Sequence, residues 1–317
     1  MIWPDFNIKP EYKDIVNDAL IRYKKGLNYK LYLQDYDPLG DYLNFGCNNR
    51  YYENEKITFD SNGIPKVKYG TDFYYNPVTI AQFSLTLYGQ YIRGNKKREE
   101  FLDSVNFLIS LQNSSGALPY AFDYPYYLGD FKKGWVSGMA QGQALSAYAR
   151  AYNLSKDKKI LQAGNECLKF LLNPISNGGT LDSMKYLHPS LDQYITFEEY
   201  PVTPCSYTLN GFLFTLFGLY DWWKVTKDQN PNFSNLAKQF YLKGIETTKH
   251  ILKYYDIGGY TTYDLGHVIY NKPPKISGIY HFIHIYLLHG LYSISNEKVL
   301  LDYTKLWISY VDDDNKK

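Results

Sequence analysis

Two adjacent carboxylates and a phenol lie in a segment whose backbone is expected to be extended. Glu198, Glu199 and Tyr200 precede Pro201, and a proline keeps the residue before it out of the helical region. An apolar run of helical character, over 205–223, follows directly. Acidic groups at the start of a buried helix are a common place for chemistry, because burial and the helix end shift their pKa. The plain alternative is that the two glutamates only favour a helix N-terminus.

Composition narrows the classes of ligand. The chain has 317 residues, 45% of them hydrophobic, which is enough for one large domain or two ordinary ones. A net charge of +2 provides neither a field for nucleic acid nor a polybasic membrane anchor. Tyrosine is abundant, with 35 residues against 17 phenylalanines. Because a tyrosine offers a flat apolar face and a hydroxyl, this excess favours contacts with sugar rings.

Cysteines and apolar segments place few constraints on the compartment. Cys47, Cys167 and Cys205 are too scattered for a disulfide framework or a zinc site. The first residues lack the pattern of a signal peptide, and no apolar run is long enough to span a bilayer. We therefore expect no membrane segment and a cytoplasmic location by default, with secretion open if the chain had been trimmed.

Apolar spacing from residue 77 onwards predicts four pairs of helices. In each pair the first helix is apolar on all sides and should be buried, whereas the second is amphipathic and should lie outside it. The predicted pairs are 77–92 with 96–111, 135–152 with 156–172, 205–223 with 232–254, and 277–292 with 296–310. A glycine-containing turn and an extended piece follow the outer helices, at 115–120, 177–181 and 258–263.

A recurring unit of this kind is typical of an array that closes on itself. The predicted fold is mainly α, an incomplete (α/α) toroid or barrel of paired helices with short β-hairpins at its mouth. Residues 76–317 are expected to form the catalytic domain. Residues 1–75 form an irregular extension, with a helix near 10–25 and a β-hairpin of 57–59 and 66–69 around the Asn62-Gly63 turn.

The loops of such an array would gather aromatic and hydroxyl groups at one mouth. They carry Tyr120, Tyr124, Tyr126, Tyr127, Tyr263, Asp264 and His267, in addition to the Glu198–Tyr200 segment. A cleft rich in hydroxyls and poor in carboxylates favours a carbohydrate ligand. His281 and His284 are three residues apart, but no second helix supplies matching ligands, so no metal is predicted. Nucleotide-binding and serine-hydrolase motifs are absent from the sequence.

Several motifs in series resemble one known family. These are residues 77–82 (Pro-Val-Thr-Ile-Ala-Gln), 134–144 (Gly-Trp-Val-Ser-Gly-Met-Ala-Gln-Gly-Gln-Ala), 198–212 (Glu-Glu-Tyr-Pro through Asn-Gly-Phe), 262–265 (Thr-Tyr-Asp-Leu) and 280–284 (Tyr-His-Phe-Ile-His). Over residues 70–312, in the same order, the chain is similar to the C-terminal region of D-glucuronyl C5-epimerases. Those enzymes convert D-glucuronate to L-iduronate within heparosan-type polysaccharides.

The resemblance implies proton exchange at C5 of a uronate, without a cofactor. Glu199 and Tyr280 match the acid–base pair on opposite faces of the sugar, and Tyr200 and Tyr263 match tyrosines lining the same site. Positions matching substrate contacts are Gln82, Met139, Ala140, Gln141, Gly142 and Asn210, together with the 274–283 segment, which includes Lys275 and His281. For Gln82, Gln141 and Asn210, the alternative is that they only satisfy buried backbone.

The sequence departs from the animal members of that family in three ways. Residues 93–99 pass directly to the next helix where those enzymes carry a large β-sandwich, so calcium binding and chain-length reading are not implied. Gly266 stands where they have an arginine after Tyr-Asp-Leu, so recognition of a sulfated chain is not implied either. Lys275 or Arg50 would have to supply the missing charge. The third difference is that the sequence shows no counterpart of the membrane anchor of the animal enzymes.

Partners and alternative activities follow from the same comparison. The expected partner is an acidic, glucuronate-containing polysaccharide, and the family indicates a homodimer in which the hairpin around 57–69 reaches the partner's cleft. A polysaccharide lyase would use the same C5 deprotonation and then eliminate the oxygen at C4. A glycoside hydrolase would need two separated carboxylates such as Glu199 and Asp264. A glycan-binding relative without catalysis is the remaining alternative.

Overall fold

The fold is seen in a computed structural model that describes residues 31, 33–47 and 52–312, and the isolated positions 14 and 18. The helix predicted near 10–25 falls outside the described residues apart from those two positions, and Arg50 falls outside them as well. The structure is mainly helical, with two small antiparallel sheets. Over the described ranges, no helix combines the length and the apolar character needed to cross a membrane.

All eight predicted helices are present. They are α1 (Pro77–Ile92), α2 (Arg98–Ser110), α3 (Gly138–Ser155), α4 (Lys158–Leu171), α5 (Leu209–Thr226), α6 (Pro231–Tyr255), α7 (Gly278–Ser295) and α8 (Lys298–Asp312). The first begins and ends at the predicted residues. Its start is well determined, because Pro77 occupies the first turn and the Asn76 side chain accepts a hydrogen bond from the Thr79 amide at 3.1 Å.

The helices form two layers, as the hydrophobic pattern predicts. In α3 every residue from Gly138 to Tyr152 is buried, and in α5 every residue from Leu209 to Trp222 is buried. Each even-numbered helix packs on the helix before it and leaves its polar face exposed. The buried helices α1, α3, α5 and α7 contact one another in that order. A continuous apolar core therefore runs between the two layers.

The strands are short and lie beside the N-terminal ends of the buried helices. The predicted hairpin is confirmed as β1 (Ile57–Phe59) and β2 (Pro65–Tyr69), and a third strand, β3 (Asp72–Tyr74), extends it. The second sheet pairs β4 (Leu181–Ser183) with β5 (Ile195–Phe197). The extended piece predicted at 177–181 overlaps β4 only at Leu181, and the sequence predicts neither β3 nor the partner strand β5.

A buried ion pair joins the N-terminal segment to the helices. The Arg150 guanidinium of α3 lies 2.7 Å from the Asp221 carboxylate of α5, and both side chains are fully buried. The Tyr36 hydroxyl donates to the same carboxylate at 2.7 Å. Further along the segment, a helical turn at Tyr42–Cys47 contacts both α1 and α7. Within residues 33–47, Tyr36 and Tyr42 are buried and anchor this segment to the core of the helical array.

Candidate active site

The two adjacent glutamates emerge from the end of β5 and lie in different surroundings. Glu198 is fully buried. Its carboxylate accepts hydrogen bonds from the Thr196 hydroxyl at 2.9 Å and from the Tyr207 amide at 3.0 Å. Its backbone carbonyl accepts from the amide of Gly138, the first residue of α3. Burial raises the pKa of Glu198 to about 7, although these hydrogen bonds act in the opposite direction.

Glu199 lies at the centre of a cluster that we call the carboxylate–phenol cluster (Glu199, Tyr200, Tyr263 and Tyr280). The Tyr263 hydroxyl donates to Glu199 Oε1 at 3.1 Å. On the other side, the Asn210 amide nitrogen lies 3.4 Å from Oε2. Burial raises the pKa of Glu199 to about 7, while hydrogen bonds from Tyr263 and Tyr200 lower it. A carboxyl group near this value is suited to general acid–base chemistry at neutral pH.

Three phenols complete this cluster. The rings of Tyr263 and Tyr280 have centroids 4.5 Å apart, and Tyr280 stands in the first turn of α7. Burial raises the pKa of Tyr263 and Tyr200 well above the ordinary tyrosine value, and the nearby Glu199 charge acts in the same direction. At neutral pH both groups are consequently neutral hydrogen-bond donors, and the Glu199 carboxylate is the acceptor of the Tyr263 bond.

A row of stacked rings fixes the position of Tyr200. Its centroid lies 4.3 Å from that of Tyr126 and 5.8 Å from that of Tyr124, with the planes within 17° of parallel. The row continues from Tyr124 to Trp135 at 5.6 Å, and from Trp135 to Tyr120 at 3.7 Å. We refer to Tyr120, Tyr124, Tyr126 and Trp135 as the aromatic wall. Flat rings of this kind are the usual platform for sugar rings.

The charged groups next to the cluster come from the loop before α7. Asp264 accepts hydrogen bonds from the Tyr127 hydroxyl at 2.8 Å and from the Gly266 amide at 3.0 Å. The Lys275 ammonium lies 3.8 Å from the second Asp264 oxygen. The pKa of Lys275 is lowered by burial, while the Asp264 and Glu199 charges raise it, so the ammonium lies within electrostatic reach of the carboxylate–phenol cluster.

The N-termini of the buried helices converge on this region. Gly138 of α3 bonds to Glu198, and the Leu209 amide of α5 donates to the Tyr263 carbonyl at 3.1 Å. Tyr280 lies in the first turn of α7. Helix N-termini carry a positive partial charge. These helix ends therefore add positive partial charge to the surroundings of Glu199.

The predicted substrate contacts divide into two groups. Asn210 and Met139 lie beside Glu199, with the Asn210 amide nitrogen 3.7 Å from the methionine sulfur. Asn210 Oδ1 is buried and has no hydrogen-bond partner among the described residues. Gln82 is half-buried on α1. Ala140 packs under Tyr120 of the aromatic wall.

The second group serves the scaffold. The Gln141 side-chain oxygen accepts a hydrogen bond from the Leu118 amide, and its side-chain nitrogen donates to the Gly116 carbonyl. Gln141 thus satisfies buried backbone groups, which is the alternative given for it in the sequence analysis. Gly142 faces Thr215 where α3 meets α5. His281 is fully buried behind the cluster; its Nε2 lies 3.0 Å from the Trp307 carbonyl and its Nδ1 accepts from the Thr261 amide.

Some contributions to the site were not singled out from the sequence. Gly211 permits close packing, because a Cβ at this position would lie 2.6 Å from the Glu199 Cβ. The sequence places Tyr126 and Tyr127 at the mouth. It does not indicate that Tyr126 stacks on Tyr200 or that Tyr127 lies under the Lys275 ammonium. The close packing at Gly211 could have been inferred from the Asn210-Gly211 dipeptide at the start of a buried helix. Spacing carries no comparable signal for the stacking partners, because the chain brings them together from separate loops.

The fold and site described so far are those of a mainly helical protein in which a buried carboxyl group lies among phenols and next to a row of stacked rings. Comparison with known proteins identifies its family. Residues 112–309 match the family described as D-glucuronyl C5-epimerase C-terminus, and the chain belongs to that family.

Two relatives illustrate the extent of the match. A D-glucuronyl C5-epimerase of Caenorhabditis elegans is 35% identical over 184 residues, which are 56% of this chain and 29% of the worm protein. An uncharacterized protein of Methanocaldococcus jannaschii is 28% identical over 189 residues, or 59% of this chain and 56% of that protein. The match therefore spans about a third of the first relative and about half of the second.

Proposed function

We propose that this protein is a polysaccharide D-glucuronyl C5-epimerase that converts D-glucuronate units of a heparosan-like chain to L-iduronate. The observation that carries the proposal is Glu199, a buried carboxyl group with a pKa of about 7, which accepts a hydrogen bond from one tyrosine of a three-phenol cluster. Membership of the C5-epimerase family supports the same reaction. The aromatic wall supports a sugar polymer as the ligand.

The chemistry follows from the protonation states of the cluster. The C5 proton of a uronate is a very weak acid, because the adjacent carboxylate already carries a negative charge. We propose that the Glu199 carboxylate removes this proton and that the electron pair moves into the substrate's carboxyl group. Tyr280 then delivers its hydroxyl proton to the other face of C5. Configuration at C5 is thereby inverted, leaving a protonated Glu199 and a Tyr280 phenolate.

The cycle requires that proton to return from Glu199 to Tyr280. Tyr263 is the group we propose for this role, since it donates to Glu199 and its ring packs against Tyr280. The enolate-like intermediate carries additional negative charge. Lys275 and the N-termini of α3, α5 and α7 are the positive groups available to stabilise it. Asn210, Met139 and Gln82 complete our proposed set of substrate contacts, with Ala140, Gln141, Gly142 and His281 supporting them from behind.

The proposed architecture around this site is an incomplete (α/α) toroid formed by residues 76–317, preceded by the extension of 1–75. The successive contacts of α1, α3, α5 and α7 support it, as does the turn Tyr42–Cys47 that contacts both the first and the last of them. The homodimer with the hairpin reaching a partner's cleft remains a prediction. In this chain Tyr69 of the hairpin stacks on Phe122 at 4.0 Å, next to the aromatic wall.

Proton NMR in D2O tests the reaction directly. Heparosan, with and without N-sulfation, is incubated with the protein. We expect loss of the glucuronate H5 signal, appearance of iduronate signals, and no such change with Glu199→Gln or Tyr280→Phe. Vinylic signals would instead identify a lyase. A glucuronate H5 signal that persists on every uronate polymer, with the protein folded, would contradict the proposal.

A further inference from the structure

Lys275 occupies an unusual position at the edge of the carboxylate–phenol cluster. Its ammonium lies 3.4 Å from the centroid of the Tyr127 ring, 5.1 Å from that of Tyr126 and 5.6 Å from that of Tyr263. A cation over an aromatic face is held by the negative charge density of the ring. The Lys275 side chain is nevertheless 39% exposed. Its ammonium is thus held by rings on one side and accessible on another.

The acidic neighbour of Lys275 is already satisfied by other donors. Asp264 accepts from the Tyr127 hydroxyl, the Gly266 amide and, at 3.5 Å, the Tyr126 hydroxyl. The distance of 3.8 Å from the Lys275 ammonium to Asp264 exceeds the roughly 2.8 Å of a charge-assisted hydrogen bond. The lysine therefore retains the capacity to bind a second carboxylate.

Tyr127 is itself held in place from two sides. Its hydroxyl donates to Asp264 at 2.8 Å, which orients the ring under the ammonium. On the other side the hydroxyl fills the space next to the Gly266 Cα. A Cβ on residue 266 would overlap the Tyr127 oxygen and lie 3.1 Å from Asp264 Oδ1. Glycine at this position is thus a condition for the observed arrangement of Tyr127 and Lys275.

A uronate requires the cation and the base of its site to be near neighbours. In glucuronate the carboxyl carbon is bonded to C5, so a cation that binds the carboxylate must be a near neighbour of the base that attacks C5. Tyr263 contacts both groups, since its ring lies 5.6 Å from the Lys275 ammonium and its hydroxyl donates to Glu199. A single ammonium matches a single carboxylate.

We propose that Tyr127 is a positioning residue for substrate specificity: its ring holds the Lys275 ammonium where it binds the carboxylate of the glucuronate unit, and the missing side chain of Gly266 makes room for it. This inference rests on the proposed function for the identity of the sugar. It adds that one lysine and one tyrosine determine the preference for the charged sugar over a neutral one.

Calorimetric binding to two oligosaccharides tests the inference through affinity and not through activity. One is a heparosan oligosaccharide, and the other is the same oligosaccharide with each carboxyl group reduced to an alcohol. We expect the wild type to prefer the uronate form by about tenfold or more, the value of a hydrogen bond to a charged group. Lys275→Met and Tyr127→Leu should lose this preference, whereas Tyr127→Phe should keep most of it, because it retains the ring face.

Lys224→Met is the matched control. Its ammonium lies 4.5 Å from the Trp223 ring centroid in the last turns of α5, about 21 Å along the helix from Asn210 at about 1.5 Å per residue. It should bind both oligosaccharides like the wild type. Gly266→Ala displaces the same ring from the opposite side and should mimic Tyr127→Leu, which covers the case of a leucine variant that does not fold.

Three results would overturn the inference: a wild type without preference, a Lys275→Met protein that keeps it, or a Tyr127→Leu protein that loses affinity for both oligosaccharides equally. A failure of the proposed function looks different. In that case the wild type would prefer the uronate and the variants would lose the preference, but NMR would show no C5 exchange. Exchange by wild type with an unchanged preference in the variants would refute only the role of Tyr127 and Lys275.

Discussion

Replacing Tyr263 by phenylalanine should move the pH dependence of the reaction, in addition to slowing it. The Tyr263 hydroxyl donates to Glu199 Oε1 at 3.1 Å and so stabilises the carboxylate form. Glu199 has a pKa of about 7 with this bond in place. Since the proposed base must be ionised, the rate of C5 exchange should rise with pH up to about this value and then level off.

The size of the shift follows from the hydrogen bond. A hydrogen bond to a charged group contributes about 1.5–3 kcal/mol. At 3.1 Å this bond is longer than the roughly 2.7 Å preferred by hydroxyl donors, so the lower end applies. Because one pKa unit corresponds to about 1.4 kcal/mol, the pKa of Glu199 in Tyr263→Phe should rise by about one unit. At one pH unit below the wild-type midpoint, the rate of the variant, as a fraction of its own plateau rate, should be about tenfold lower than that of the wild type.

The assay is kcat/KM for deuterium exchange at C5, measured from pH 5 to 9 and normalised to each protein's own plateau, since this ratio reports the pKa of the free enzyme. Tyr75→Phe is the control. Its hydroxyl donates to the Asp60 carboxylate at 2.6 Å, beside the hairpin, so its removal should leave the profile unchanged. A Tyr263→Phe protein with native circular dichroism and a wild-type acidic limb would refute this account of Glu199.

Three further predictions concern stability and packing. Burial raises the pKa of Glu198 from its ordinary 4.5 to about 7, so between these values the folded state keeps a proton that the unfolded state has lost. The free energy of unfolding of the wild type should therefore fall as pH rises through that window. In urea unfolding, Glu198→Gln should show a pH dependence that is less steep than that of the wild type by up to about 1.4 kcal/mol per pH unit. Arg150→Met should cost about 3–5 kcal/mol in urea unfolding at pH 7, because Asp221 is left buried without its cation, and adding Asp221→Leu should recover part of the loss. Gly211→Ala should lower the C5 exchange rate at least tenfold without unfolding the protein, as measured by NMR and circular dichroism, because the new methyl group displaces Glu199.

The helices were predictable because their signals are local. Pro77 and the Asn76 cap determine where α1 starts, and apolar spacing determines which helices are buried. Two predicted N-terminal ends are wrong, since α3 starts at Gly138 and not at 135, and α5 starts at Leu209 and not at 205. Three buried helices also end three residues later than predicted, at Ser155, Thr226 and Ser295. The two errors at the N-terminal ends have a structural reason. In both places backbone groups are used by the site. The Trp135 carbonyl accepts from the Tyr120 amide, and the Tyr207 amide donates to Glu198, so these residues cannot continue the helix.

The sequence indicates which residues belong to the candidate site better than it indicates how they are arranged. The motifs indicated Glu199, Tyr200, Tyr263 and Tyr280, which the structure brings together. Sequence spacing could not separate those residues from Gln141, because a polar residue within such a motif serves equally well to satisfy buried backbone. Contacts between loops distant in the chain, such as Lys275 over Tyr127, are set by tertiary packing and leave no local pattern.

The adjacent glutamates illustrate how geometry assigns different roles to identical side chains. Glu198 directly follows β5 and the chain bends at Glu199, and the two side chains lie in different environments. Glu198 faces the scaffold, where its main chain bonds to Thr180 and Gly138 and its carboxylate holds the Tyr207 amide. Those bonds fix the peptide from which Glu199 projects towards the phenols. The pKa of both is about 7, but only Glu199 accepts a hydrogen bond from a phenol of the cluster, so a raised pKa distinguishes the two glutamates only in combination with their positions.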